Sequence, residues 1–292
     1  MRKFLKYIAQ ILILITVLAV SLDHIYSYIY QNSKPRLKVQ KILQLKNTHY
    51  DVAFFGSSRT ENHIDCELVE RVTGKSCINL GISGASITDM YILMEFAELN
   101  NIKFDKAFMQ IDYNYNHTGL TNFFKAGIIP FINKSDIRSL IPSQDRKDAY
   151  FKIPFYRYLI YNKVLGTREL IASLMNRKNN LDFSLGFTPK IGQGTAVSGS
   201  FPSKLKRNNN DLDKMISLSE KSGTKLLFFT APYCDEVENR HIIHSLEKRL
   251  PNWKNYISIF DNKEENYFNC GHLNKEGAQE FTKIITEDLI LN

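Results

Sequence analysis

Short apolar runs of strand length alternate with helical stretches over most of this chain, and that alternation restricts its folds more than any other feature. "YDVAFFG" reads as a strand and "ENHIDCELVERVTG" as a helix closed by Gly74. "SCINLGISG" is a strand and turn, and "SITDMYILMEFAELNN" is an amphipathic helix with Ser86 or Thr88 near its cap. "FDKAFMQIDYN" supplies a third strand. Farther on come a helix, "NDLDKMISLSEKSG", closed by Gly223, a strand, "TKLLFFTAPY", and a helix, "ENRHIIHSLEKRL". "NYISIFD" is a short strand and "NKEGAQEFTKIITEDLI" a terminal helix. Strands separated by helices favour an α/β fold, a three-layer sandwich whose parallel sheet of about five strands has helices on both faces.

The pattern breaks between about residues 115 and 207, a stretch rich in aromatics ("DAYFKIPFYRYLIYNKVLG") that ends in a Gly/Ser segment. So long a connection is a functional element or a subdomain. A satellite aromatic core is the favoured reading; a lid, a glycan-stacking surface or a face for a membrane partner are compatible with it. The expected layout is an anchor and flank at 1–31, a stalk or short helix at 32–49 containing Pro35, and one domain at 50–292 carrying the insertion.

The anchor is read from "MRKFLKYIAQILILITVLAVSL": three basic residues, then an apolar run from Tyr7 to Leu22 extended by Phe4, Leu5 and the later Tyr26, Tyr28 and Tyr30. Such a helix spans a bilayer, and its basic flank places the N-terminus in the cytoplasm and the rest outside. A cleaved signal peptide, with Ala19-Val20-Ser21 as its site, is the competing reading; apolar and aromatic character continuing past that site favours the uncleaved anchor. A net charge of +8 raises nucleic acid as a partner, but the basic residues are scattered and no basic arm or reading helix exists, so that partner is set aside. The four cysteines, Cys66, Cys77, Cys234 and Cys270, suit an extracytoplasmic domain. They allow two disulfides in three pairings, or buried thiols, and have no zinc-ligand spacing. "GISGAS" lacks the third glycine of a dinucleotide turn, so neither a metal nor another cofactor is expected.

The strand ends hold the chemistry. The first strand stops at Gly56-Ser57-Ser58-Arg59, the second at "NLGISG" and the third at "DYN", while "FNCGHLNKEGAQEFT" sets His272 in the turn before the last helix. In a doubly wound sheet all four places fall on the carboxyl edge, where α/β proteins bind ligands. Each alone has an ordinary reading, such as a serine turn closing on its own backbone. Together, a serine, an imidazole, a glycine N–H and an asparagine amide are the nucleophile, base and oxyanion donors of acyl transfer.

These blocks resemble the SGNH (GDSL-like) hydrolases and acyltransferases over roughly residues 50–114 and 208–292. "FFGSSR" is similar to the first block, which makes Ser58 the nucleophile; "NLGISG" to the second, which makes Gly81 an oxyanion donor; "DYN" stands at the third, which offers Asn114. "NCGHLNKEGAQEFT" is similar to the terminal block, with His272 as base. The resemblance implies an SGNH/flavodoxin-like sandwich and an oxyanion hole of the Ser58 and Gly81 N–H groups with the Asn114 amide. The GSSR form, the anchor and the HLN-x-x-GA ending resemble the membrane-tethered branch, which includes proteins working beside membrane-bound O-acyltransferases on cell-wall polymers and exopolysaccharides. A serine-dependent acyltransferase or acyl-relay protein acting on an extracytoplasmic polysaccharide is therefore implied, with an esterase of the same fold, or a catalytically silent glycan-binding scaffold, as alternatives.

Two departures stand out. The family aspartate three residues before the histidine is Asn269, whose amide orients an imidazole but adds no charge. Either a Ser58–His272 dyad works with Asn269 as orienter, or Glu265 or Asp261 substitutes, or activity is weak. The third block has Asp112 where a glycine is usual, which makes Asn116 a rival to Asn114. Asp112 is read as a pocket polar group or a turn former. Arg59 is read as a salt bridge to the following helix or a site for an anionic substrate, and Asn79 and Ser83 as supports of the second turn.

Overall fold

The run at 49–56 becomes β1 (His49–Gly56) because both of its faces can be buried: Val52 and Phe54 alternate with Ala53 and Phe55, and all four are fully enclosed. The structure, a computed structural model, describes residues 1–147, 149, 152–179, 181, 184–194 and 199–291. These divide into two units, Met1–Gln44 with Lys125–Arg177, and Leu45–Phe124 with Lys178–Asn292.

The second unit holds the sheet. β2 (Cys77–Gly81), β3 (Lys103–Gln110), β4 (Lys225–Thr230) and β5 (Trp253–Asn255) join β1 in the order β2-β1-β3-β4-β5, every pairing parallel. This is the expected five-stranded α/β sheet. The order reverses at β1, so the carboxyl ends of β1 and β3 open onto the crevice where such sheets bind ligands. On one face Phe54 stacks on Phe108 at 4.9 Å and meets Phe229 edge-on at 6.2 Å, with Phe281 beyond. Each such buried ring contributes about 1.5–3 kcal/mol of transfer free energy.

The helix expected at 61–74 is two helices, α3 (Ser58–His63) and α4 (Cys66–Thr73). Asp65 breaks them apart: its carboxylate accepts the Leu68 N–H and caps α4. α5 (Ile87–Leu99) starts in a capping box formed by Ser86 and Asp89. α11 (Asn210–Ser222) starts at the Asn209 cap and stops at Gly223, whose φ of +73° suits a glycine. α12 (Lys275–Thr286) is capped by Asn274. Two other segments differ from expectation. Residues 240–246 form a 3-10 helix, not an α-helix, after Asn239 turns left-handed and bonds to Ser200 and Phe201. The last sheet strand ends at Asn255, whose side chain accepts the Ile257 N–H in a turn. A hairpin, β6 (Tyr267–Asn269) with β7 (His272–Leu273), leads into α12. Disulfides join Cys66 to Cys77 and Cys234 to Cys270.

The first unit is helical: α1 (Arg2–Asn32), α2 (Lys38–Gln44), the end of α6 (Asn122–Ile128), α7 (Ser135–Leu140), α8 (Tyr156–Ile160), α9 (Asn162–Leu165) and α10 (Thr167–Leu174). The stretch read as one insertion is thus divided, its residues 125–177 grouping with the N-terminal segment. α1 is long and apolar enough to cross a membrane, and its side chains up to Leu22 are almost all exposed. Beyond them Tyr26 and Tyr30 pack on Tyr158, and Ser27 hydrogen-bonds the Tyr158 hydroxyl at 2.8 Å. These contacts form the satellite aromatic core expected of the inserted stretch.

Candidate active site

Ser57 and Ser58 part company at the end of β1. The Ser57 N–H and O–H both donate to Gln110 Oε1, at 2.9 and 2.7 Å, which draws Ser57 inward and buries it. Ser58 opens α3 and stays half-buried. The turn needs Gly56, because a Cβ there would lie 2.7 Å from the Gln110 Cβ and closer still to the Thr60 hydroxyl.

His272, 214 residues away, meets this serine: the Ser58 hydroxyl lies 2.8 Å from Nε2. On the other side of the ring Nδ1 lies 3.1 Å from Asn269 Oδ1. That same oxygen accepts the Gly271 N–H at 3.1 Å. Turning the amide over would set its NH2 group against a backbone donor, so the Gly271 N–H fixes Oδ1 toward the ring. The ring proton is therefore held on Nδ1, and Nε2 is left to accept from Ser58. Neither substitute carboxylate takes this place: Asp261 pairs with Arg240 at 2.7 Å and Glu265 is exposed. Burial, with Arg59 and Lys190 nearby, pushes the His272 imidazole down to about 4, so it is neutral at pH 7.

Arg59 and Asp112 are buried together, Nε to Oδ2 at 2.5 Å. Burial works against the guanidinium, but the Asp112 carboxylate outweighs it and holds Arg59 above its ordinary range. Arg59 thus pairs across to the end of β3, not with the following helix as expected. Asp112 forms the turn read for it by accepting the Asn114 N–H, and it also accepts from Gln110 Nε2 and the Tyr233 hydroxyl. Burial, then Asp112, pushes that Tyr233 phenol well up.

Two of the three expected oxyanion donors are turned elsewhere. The Gly81 N–H donates to Asn79 Oδ1 at 3.0 Å, and Asn79 Nδ2 is tied to the carbonyls of Thr60 and Ile64. Gly81 is required for close approach: a Cβ would lie 2.6 Å from the Thr60 Cβ. Asn114 directs its oxygen to the Asp112 N–H and its nitrogen toward the Gln110 carbonyl, closing its own turn. The rival Asn116 latches residues 204 and 206. Ser83 bonds Glu61 at 2.5 Å, as a support of the second turn. The Ser58 N–H remains, at the opening of α3, where helix geometry provides no acceptor.

A cleft of about 280 Å3 opens beside His272, walled by Tyr113, Phe201, Tyr233 and Val237 with Arg59 at its side. The Cys234–Cys270 disulfide borders it, immediately before the Gly271-His272 turn. Sequence reasoning missed Gln110, Tyr233 and His63. His63 is buried, accepts the Leu273 N–H at 3.0 Å, and lies edge-on to the His272 ring at 6.0 Å. A polar residue ending an apolar strand was the available signal for Gln110; the other two had none.

No family model matches this chain, and no curated protein matches it. Among solved structures it is similar to a chain from Streptococcus pneumonia provisionally described as a platelet activating factor, with 13% identity and a TM-score of 0.40 over 97% of this chain and 99% of that one.

Proposed function

We propose that this protein is a membrane-anchored serine acyltransferase or acyl-relay protein of the SGNH type, which passes a small acyl group through Ser58 to hydroxyls of an extracytoplasmic polysaccharide. The observation that carries the reading is the continuous relay from Ser58 Oγ through His272 to Asn269 Oδ1. His272 Nε2 takes the hydroxyl proton as Oγ attacks an ester carbonyl, and the tetrahedral oxyanion is met by the Ser58 N–H. The alkoxide leaves with the proton from Nε2, which gives an acyl-serine. A glycan hydroxyl then loses its proton to Nε2 and attacks the acyl carbon, and Ser58 Oγ leaves with that proton as the acyl group passes to the glycan.

The aromatic walls of the cleft support a sugar acceptor, since Tyr and Phe rings bury the apolar faces of pyranoses. α1, with Arg2, Lys3 and Lys6 at its start, is read as the anchor, basic end in the cytoplasm. Asn269, the best argument for a silent scaffold, loses force because its oxygen is fixed toward the ring.

The test is full-length protein with 4-nitrophenyl acetate, with and without acetyl-free polysaccharide. An acetyl adduct on Ser58 by mass spectrometry, absent in Ser58→Ala, and acetyl appearing on the glycan are expected. Acetate released only to water makes the protein an esterase. No turnover and no adduct would remove the enzymatic reading.

A further inference from the structure

The apolar exterior of the aromatic helices in the first unit calls for an occupant. Within that unit the end of α1's apolar run is pinned to the inserted stretch by a buried two-pronged ion pair: Arg157 Nε to Asp23 Oδ1 at 2.8 Å and Arg157 Nη2 to Asp23 Oδ2 at 2.5 Å. The Phe155 N–H donates to the same carboxylate at 2.8 Å. Phe155 adopts a φ of +62°, a left-handed conformation unfavourable for a bulky residue, which bends the chain so that this N–H faces Asp23. The depth of residues 153–160 relative to α1 is thus fixed.

That depth coincides with a bilayer boundary. Lys6 to Asp23 spans about 26 Å of helix at 1.5 Å per residue, close to the hydrocarbon thickness of about 30 Å. Val20, nearly one turn inside Asp23, lines one cavity with Lys152, Ile153 and Pro154. The inserted stretch therefore reaches down alongside the apolar part of α1. Ile153, Tyr156, Leu159 and Ile160 are each at least 40% exposed, four large apolar or aromatic side chains within eight residues. Ile25 and Tyr28 on α1 are exposed as well. Lys152 beside them, and Lys163 shortly after, add cations suited to anionic headgroups.

We propose that Ile153–Ile160 is an interfacial seat, resting in the headgroup region of the leaflet from which α1 emerges and holding the first unit against lipid. The proposal rests on the reading of α1 as a membrane span. A second protein on this face is the competing occupant; lipid is favoured because the seat is continuous with the lipid-facing surface of α1.

The experiment places single tryptophans in a Trp253→Phe background of the full chain, reconstituted in phosphatidylcholine–phosphatidylglycerol bilayers containing lipids brominated near the headgroup end of the acyl chain. Ile153→Trp and Leu159→Trp test the seat. Leu14→Trp, near the bilayer midplane, tests the span in parallel bilayers brominated at the methyl end of the acyl chain. Arg177→Trp, on an exposed residue whose carbonyl bonds Arg36 beyond the end of α1, is the distant control. A face buried about 5–10 Å into the interface should lose about half its emission to bromine at both seat positions, with little loss at the control. Quenching at Leu14→Trp without quenching at either seat position overturns the proposal and leaves the span intact. If those seat tryptophans are also shielded from acrylamide, a second copy of this chain covers the face in place of lipid. Absence of quenching at Leu14→Trp removes the span, and the seat with it.

Discussion

Asn269→Asp should turn the proposed Ser58–His272 dyad into a stronger triad. The Nδ1–Oδ1 separation is 3.1 Å, and the Gly271 N–H donates to the same oxygen. A carboxylate keeps both contacts, so geometry and tautomer are unchanged and only charge is added. At that separation an effective dielectric of about 20 gives an attraction of about 5 kcal/mol between carboxylate and imidazolium. Burying the new charge offsets part of this, which leaves the upward shift of about 1–3 pKa units usual for an adjacent opposite charge. From a starting value of about 4, the His272 imidazole moves toward the ordinary histidine range. The same stabilisation acts on the imidazolium formed in the transition state, worth about 10- to 1000-fold in rate. The assay is kcat/KM for 4-nitrophenyl acetate between about pH 3.5 and 9, where the acid limb reports the free enzyme's base. The variant should be faster at neutral pH, with its acid limb displaced upward. A folded variant with unchanged or slower turnover and an unmoved limb would refute the assignment of Asn269 as the orienting partner of His272.

Two further outcomes follow from the same surroundings. His63 and His272 both have folded-state values below 6.5, so the unfolded chain binds more protons as pH falls, and their contribution to stability, complete above that value, is lost as pH drops below it, the His272 share by about 4. Urea melts at pH 7.5 and 5.5 should show this loss, reduced in His63→Gln; equal midpoints at the two pH values would contradict it. The Cys234–Cys270 disulfide closes a loop with a sequence separation of 36 that ends two residues before His272, and removing a native disulfide commonly costs about 2–5 kcal/mol. Cys234→Ala/Cys270→Ala should therefore melt earlier and lose turnover, and a variant matching the wild type in both would show the bridge to be dispensable.

The sheet was legible in the sequence because its signals are local. A run such as "DVAFFG" buries both faces whatever lies around it, and Ser86, Asn209 and Asn274 cap their helices with partners two or three residues away. Ser58 and His272 were legible for a related reason: each sits at an element boundary, and sheet topology alone brings those boundaries to one edge. The oxyanion donors were not, because an N–H or an amide acquires its role from whatever accepts it. Gly81 is engaged by Asn79, which is itself tied to Thr60 and Ile64, and Asn114 is engaged by the backbone of Asp112. The grouping of 125–177 with the N-terminal helix was hidden likewise, since Asp23 and Ser27 find Arg157 and Tyr158 more than a hundred residues away.

The tie between Asn79 and Gly81 has a mechanistic consequence. Asn79 Oδ1 cannot swing away without breaking two buried hydrogen bonds from its own amide nitrogen, so the Gly81 N–H is held by an anchored acceptor. An oxyanion would have to compete with that acceptor for the proton, whereas the Ser58 N–H meets no rival within its helix. Transition-state charge should therefore rest chiefly on the amide of the nucleophile itself. A catalyst with fewer donors than its fold permits is slower by about 10²–10³ for each one missing. In the proposed reaction the same deficit would slow loss of the acyl group to water and its transfer to a hydroxyl alike.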